Sequence, residues 1–154
     1  MDYPEKIELV LTYKHDPEDT EIFTERVDAE KEGDHYRLIH VPAFAPNIAY
    51  GDIVKIQYED GEFHFDELIE ESGYSIVHIF FFNLQGKSEL IEFLDQQGCG
   101  LNAHIADNYL VVSIPPTSNC NSIMPHLQNE EDVKNISFRS TFSQIHANQL
   151  GLPL

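Results

Sequence analysis

Residues 59–71 read EDGEFHFDELIEE, with seven carboxylates and one histidine but no lysine or arginine. The fold of the first half turns on whether this stretch is a strand or a helix. FDELIEE contains acceptable helix formers, so a helix is the competing reading. The Asp60-Gly61 pair between two alternating runs is a strong hairpin signal, and ESGYS at 71–75 supplies a second turn at the far end. A strand is therefore expected. It places Phe63, Phe65 and Ile69 on one face, with Glu67 out of pattern, and Glu62, His64, Asp66 and Glu70 on the other. Carboxylates side by side on the solvent face of a strand repel one another unless cations approach.

The neighbouring segments alternate with the same period of two. KIELVLTYK at 6–14 puts Ile7, Leu9 and Leu11 on one face, and HDPED breaks it. EIFTERVDA at 21–29 is a less regular strand, ended by the turn residues around Gly33. HYRLIHV at 35–41 sets Tyr36, Leu38 and His40 against Arg37, Ile39 and Val41. PAFAPNIAYG at 42–51 is a loop, and DIVKIQY at 52–58 completes the hairpin. Five short antiparallel strands over residues 1–73 predict an acidic β subdomain, either a small barrel or a curled sheet.

From Tyr74 onward the rhythm changes. SIVHIFFF is a near-continuous apolar run, as in a strand covered on one or both faces. GKSELIEFLDQQG is amphipathic at helical spacing through Leu90, Ile91 and Leu94, with Gly98 as its stop. CGLNAHIAD and NYLVVSIPP predict two strands joined by a tight turn. TSNCNSIMPHLQNEEDV predicts a second helix, capped near Ser118 or Asn119 and open to interruption at Pro125. KNISFRSTFSQ, 134–144, reads as a last strand. The order β-α-β-β-α-β over residues 74–154 is that of a ferredoxin-like unit. The expected class is thus α+β, a small antiparallel barrel or curled sheet packed on a ferredoxin-like unit.

The run HYRLIHVPAFAPNIAYGDIVKI, followed by DGEFHFDELIEESGYSIVHI, resembles the bacterial domain-of-unknown-function family 4265. The shared features are an aromatic strand, a Pro-Phe/Ala loop, a Tyr-Gly-Asp turn and a strand ending in Glu-Ser-Gly. The likeness covers residues 35–80 best, with the closing LGLPL matching loosely. It implies a fold and no chemistry that can be carried over to particular residues.

The chain of 154 residues has a formal net charge of −18. Residues up to Gly73 include 20 acidic and 6 basic side chains, a net of −14, so the acidity belongs to the first half. Binding to a nucleic-acid backbone or an anionic membrane draws on Lys and Arg, and both are disfavoured. A basic protein partner is favoured, because complementary fields speed encounter. The bland alternative is that the charge only keeps the protein in solution. MDYPEKIELVLTY lacks the basic start and long apolar run of a signal peptide, and no stretch approaches the length of a bilayer span. With two cysteines, Cys99 and Cys120, and no CxxC, reduced thiols in a cytoplasmic protein are expected.

Catalytic signals are weak. Among 27 acidic residues close carboxylate pairs arise by chance, and those here look solvated. The eight histidines form no HxH or HExxH, so no metal is expected. A site assembled from His64, Asp66 and His78 is conceivable, though histidines alternating on strands are more often structural. Cys99 lies between two glycines after a helix, and Ser122 and Cys120 near His126 have no orienting acid. Tyr50-Gly51-Asp52 reads as a turn before it reads as a binding element.

These observations predict a non-enzymatic binding protein without a cofactor. Its most concrete form is an immunity protein that covers the cationic surface of a nuclease toxin domain. Glu59, Asp60, Glu62, Asp66, Glu70 and Glu71 would meet the partner's cations, with Tyr58 as an aromatic anchor. Two other readings stay open. One is a small-ligand or enzymatic domain with a site between the halves, edged by His78 or Asp52. The other is a regulatory ferredoxin-like domain that binds a metabolite or self-associates.

Overall fold

The structure, a computed structural model, describes residues 2–153. It divides into two compact units, Met1–Ser72 and Gly73–Leu154.

In the first unit β1 (Lys6–Tyr13), β2 (Phe23–Glu32), β3 (His35–Leu38), β4 (Ile53–Glu59) and β5 (Glu62–Glu70) close into a barrel in sequence order. Consecutive strands pair antiparallel. The closing pair, β1 with β5, is parallel, through Leu9 opposite Phe63 and Val10 opposite His64. The five strands alternate in direction as expected, and the parallel closing pair follows from their odd number. In a meander of five strands with alternating directions, the first and last must run the same way.

The alternation in β1 buries Ile7, Leu9 and Leu11 against Val27, Ala29, Tyr36, Leu38 and Val54. Ala45 and Ile48, from the connection between β3 and β4, close the same core. Fully burying side chains of this size is worth roughly 1.5–3 kcal/mol each, enough to set the register of a small barrel. β3 stops at Leu38 rather than running to Val41, because Ile39 N–H bonds to Asp28 while Gly51 N–H takes the Leu38 carbonyl.

β5 departs from regular alternation. Val54 faces Leu68 and Lys55 faces Glu67, but Ile56 faces Phe65, leaving Asp66 as an extra residue. A second extra residue, Ile69, separates Leu68 from Glu70. These bulges put Phe63, Phe65 and Leu68 on the side of Val54, and send Glu67 outward with Lys55. The out-of-pattern Glu67 is thus accommodated, and Leu68 takes the place expected for Ile69.

In the second unit β6 (Ser75–Phe81), β7 (Leu101–Ala106), β8 (Tyr109–Ile114) and β9 (Ile136–Thr141) form an antiparallel sheet in the order β7-β8-β6-β9. α1 (Lys87–Gln96) and α2 (Cys120–Asp132) supply Leu90, Leu94, Ile123 and Leu127, each pair four residues apart. These pack with Val77, Ile79, Leu110, Val112 and Ile114 in one core. Asn119 caps α2 by accepting from Asn121 N–H at 2.9 Å. α2 runs through Pro125, which forfeits one backbone bond without ending the helix.

The last strand does not reach Gln144. Ser143 instead caps a short helix, α3 (Gln144–Leu150), which ends on Gly151 in the left-handed conformation. Among the described residues, no helix is long and apolar enough to cross a membrane.

Candidate functional site

The hairpin between β4 and β5 turns at Asp60 and Gly61, with φ of 54° and 80°. Two consecutive positive φ angles give a two-residue turn whose twist matches the strands, and glycine takes such an angle at no steric cost. The turn sets Glu59 directly opposite Glu62. Two carboxylates facing each other across a ladder repel, so the pair persists only where a cation or solvent answers it.

A cation does answer on one side. Arg26 on β2 reaches Glu62 at 3.0 Å and Glu8 on β1 at 3.4 Å. The hydrogen bond to Glu62, and then its charge, raise the Arg26 pKa above its ordinary value. Farther along the strand, Lys55 lies 3.8 Å from Asp66. Around the barrel, Arg37 lies 2.9 Å from Glu32 and 3.7 Å from Glu30, while Glu8 stands directly opposite Asp28. Barrel closure therefore brings Glu8 and Arg26 beside the hairpin carboxylate Glu62. Local sequence could not show this, because the closing contact joins strands more than fifty residues apart.

The candidate residues do not all gather at one place. Tyr58, Glu59, Asp60 and Glu62 sit at the turn. Glu70 and Glu71 lie at the other end of β5, roughly 25 Å along a strand of this length, and Asp66 lies midway. Tyr58 is exposed, and it stacks on Tyr3 with centroids 5.9 Å apart while tilting against Phe63 at 4.9 Å. Tyr3 and Phe63 meet edge to face at 5.3 Å. An aromatic cluster thus stands beside the turn carboxylates, and Tyr3 is the member that sequence reading missed.

Other candidates are occupied in structural roles. Asp52 is buried, accepting from Ala49 N–H at 2.9 Å and Ser72 N–H at 2.8 Å. Burial raises its pKa despite those bonds. His78 is bonded to the Tyr109 hydroxyl at 2.7 Å. Cys99 and Cys120 are fully buried, and desolvation pushes both thiols up to about 11, so neither is an available thiolate at neutral pH. Among the described residues, no group of three or more His, Cys, Asp or Glu side chains is arranged to hold a metal ion.

A serine–histidine contact that sequence reading did not find lies in the second unit. Ser75 Oγ is 2.5 Å from His146 Nδ1, and His146 Nε2 is 2.9 Å from the Pro115 carbonyl oxygen. That carbonyl only accepts, so Nε2 carries the proton and Nδ1 accepts from Ser75. Both side chains are buried, and burial lowers the imidazole pKa. The pair anchors α3 to β6.

The family described as "Domain of unknown function (DUF4265)" matches residues 25–138. A solved structure described as a hypothetical protein from Neisseria gonorrhoeae is similar, with a TM-score of 0.77 at 28% identity over 90% of this chain and 95% of that one. No curated protein matches. With most of its length matched, from β2 through β9, the chain belongs to the DUF4265 family.

Proposed function

We propose that this chain is an acidic, non-enzymatic binding protein whose barrel docks a basic protein partner through the β4–β5 turn. The observation that carries this reading is the juxtaposition of Glu59, Asp60 and Glu62 with the exposed, stacked Tyr58. An interface needs a desolvated aromatic anchor as well as charge, because rim ion pairs alone contribute little. Glu62 and Asp66 already answer Arg26 and Lys55, so Glu59 and Asp60 are the stronger electrostatic candidates.

The most concrete version is an immunity protein acting in the cytoplasm, where buried thiols stay reduced, on a nuclease toxin whose cationic substrate groove it occludes. In the second unit the strand order β7-β8-β6-β9, with α1 and α2 as crossovers, supports a ferredoxin-like scaffold.

Co-expression with a toxic nuclease domain encoded beside this chain tests the reading. Growth should be rescued, and the pair should associate faster at low salt than at high. The double change Glu59→Lys, Asp60→Lys should slow association by roughly tenfold or more at low ionic strength. An on-rate that ignores both salt and charge reversal rules out docking by this surface.

A further inference from the structure

We propose that the barrel carries, between β1 and β5, a binding site for a small amphipathic carboxylate, with an apolar tail in the cavity and its head at Lys14. The two strands pair only at Leu9 with Phe63 and Val10 with His64. Beyond that point the extra residue at Asp66 breaks the regular course of β5. The opening is a cavity of about 570 Å³, lined by Leu11, Ala45, Ile48, Phe65 and Leu68. Pockets of roughly 300–1,000 Å³ with mostly apolar walls are the usual sites of small ligands.

The walls are packed less tightly than the rest of the same strand face. Phe65 and Leu68 lie on the core side of β5, opposite Ile56 and Val54, yet they are 37% and 38% exposed. Val54, on the same face, is 0% exposed. Core-side residues this accessible border open space rather than packed neighbours.

One wall is also held in place before any ligand arrives. The Glu25 carboxylate accepts three backbone N–H groups, from Ala43 at 2.6 Å, Phe44 at 3.0 Å and Ala45 at 2.9 Å. Asp52 fixes the other end of the same loop through Ala49. Preorganisation of this kind lowers the ordering cost of binding.

Charge selects the head group. The unit has 20 acidic side chains, but no carboxylate lines the cavity, whereas Lys14 does, with Thr12 and Asn47. Among the described residues, Lys14 has no carboxylate within ion-pair distance, unlike Arg26, Arg37 and Lys55. A cation left unanswered at an apolar mouth, on a surface that otherwise repels anions, fits a ligand with one negative end and an apolar body.

Titration calorimetry of the full chain with decanoate, below its micelle concentration, tests the site against decanol and decyltrimethylammonium. Decanoate should bind one per chain, with amide shifts at Ile48 and Leu68, and the cationic amphiphile should bind more weakly there. Lys14→Glu should weaken decanoate by roughly tenfold and leave decanol nearly unchanged. Leu68→Asp should abolish binding of both. Thermal unfolding should show both variants folded. Absence of decanoate binding at millimolar concentration, uptake of several molecules per chain, equal or tighter binding of the cation, or indifference to Lys14→Glu would each overturn the proposal.

Discussion

Arg26 Nη2 and Glu62 Oε1 lie 3.0 Å apart, and the bond crosses an intervening strand. Val10 on β1 is the cross-strand partner of Arg26 on one side and of His64 on the other. The guanidinium therefore reaches over β1 at the place where the barrel closes, and it also meets Glu8. Arg26→Ala would leave Glu8 and Glu62 on that face without this cation. The expected result is a lower thermal midpoint at low salt that converges on the parent value near 1 M, where the screening length is about 3 Å. A loss independent of salt would assign Arg26 a packing role instead.

His146 gives the second unit a pH dependence of defined sign. Burial holds its pKa below the ordinary 6.5, so the folded protein keeps the imidazole neutral where the unfolded chain already takes up a proton. The unfolded state then binds more protons, and its stability relative to the folded state rises as pH falls through that window. The second unit should lose stability as pH falls through and below about 6.5, the ordinary value for the unfolded chain. His146→Gln should flatten that slope while costing about 1–3 kcal/mol at neutral pH, since the imidazole's paired bonds to Ser75 and the Pro115 carbonyl are disrupted. Unfolding followed at several pH values checks both effects, and an unchanged slope would show that another group controls it.

The parts of this fold that sequence reveals are those fixed by neighbouring residues. Asp60-Gly61 specifies the hairpin, and the alternation of Ile7, Leu9 and Leu11 specifies the first strand. Leu90 with Leu94 and Ile123 with Leu127 mark the helices. What it conceals depends on distant contacts. The β1–β5 closure rests on two residue pairs, and the bulges that exchange Ile69 for Leu68 depend on how β5 meets β4. α3 has only seven residues and no strong apolar period. Its Ser143 cap and Gly151 stop are legible signals that a strand reading of 134–144 overrode. Of the candidate site, the turn carboxylates and Tyr58 were legible, whereas Tyr3, Glu8 and Arg26 join them only through the barrel.

Glu25 looks like one more surface acid in TERVD, but it anchors three consecutive N–H groups of the loop after β3. Glu25→Ala should leave those donors without an acceptor in a partly buried loop, at a cost of about 1–3 kcal/mol for each that water cannot reach. Hydrogen exchange should accelerate at residues 43–45 while protection in β6 and β8 is retained. If exchange in the loop is unchanged, other contacts hold it.

Asp52 should oppose His146 in sign. Its pKa is raised by burial, so the folded state holds its proton to higher pH than the unfolded chain, and its contribution is lost as pH rises through the folded value. Asp52→Asn removes that titration, but it aims an amide donor at Ala49 or Ser72 N–H. The variant should be less stable than the parent by about 1–3 kcal/mol, with a shallower decline of first-unit stability above about pH 4. A parent and variant with parallel pH profiles would mean that Asp52 does not titrate in this range.

Gly73 combines two constraints that a pair of substitutions separates. Its φ is +92°, and a Cβ built there would lie 2.9 Å from Ile145 Cδ1 and 3.0 Å from Pro116 Cβ. Gly33 has φ of +62° with nothing within 4 Å of the same position. Gly33→Ala therefore measures backbone strain alone, about 1–2 kcal/mol for an L-residue held left-handed. Gly73→Ala adds crowding against a proline ring that cannot rotate away, so it should cost more. Ile145 can shift its terminal methyl, and the Ile145→Ala background should recover only the part due to that contact. Equal losses at Gly73 and Gly33, measured by chemical denaturation, would show that the chain after β5 relaxes around the added methyl and that crowding contributes nothing.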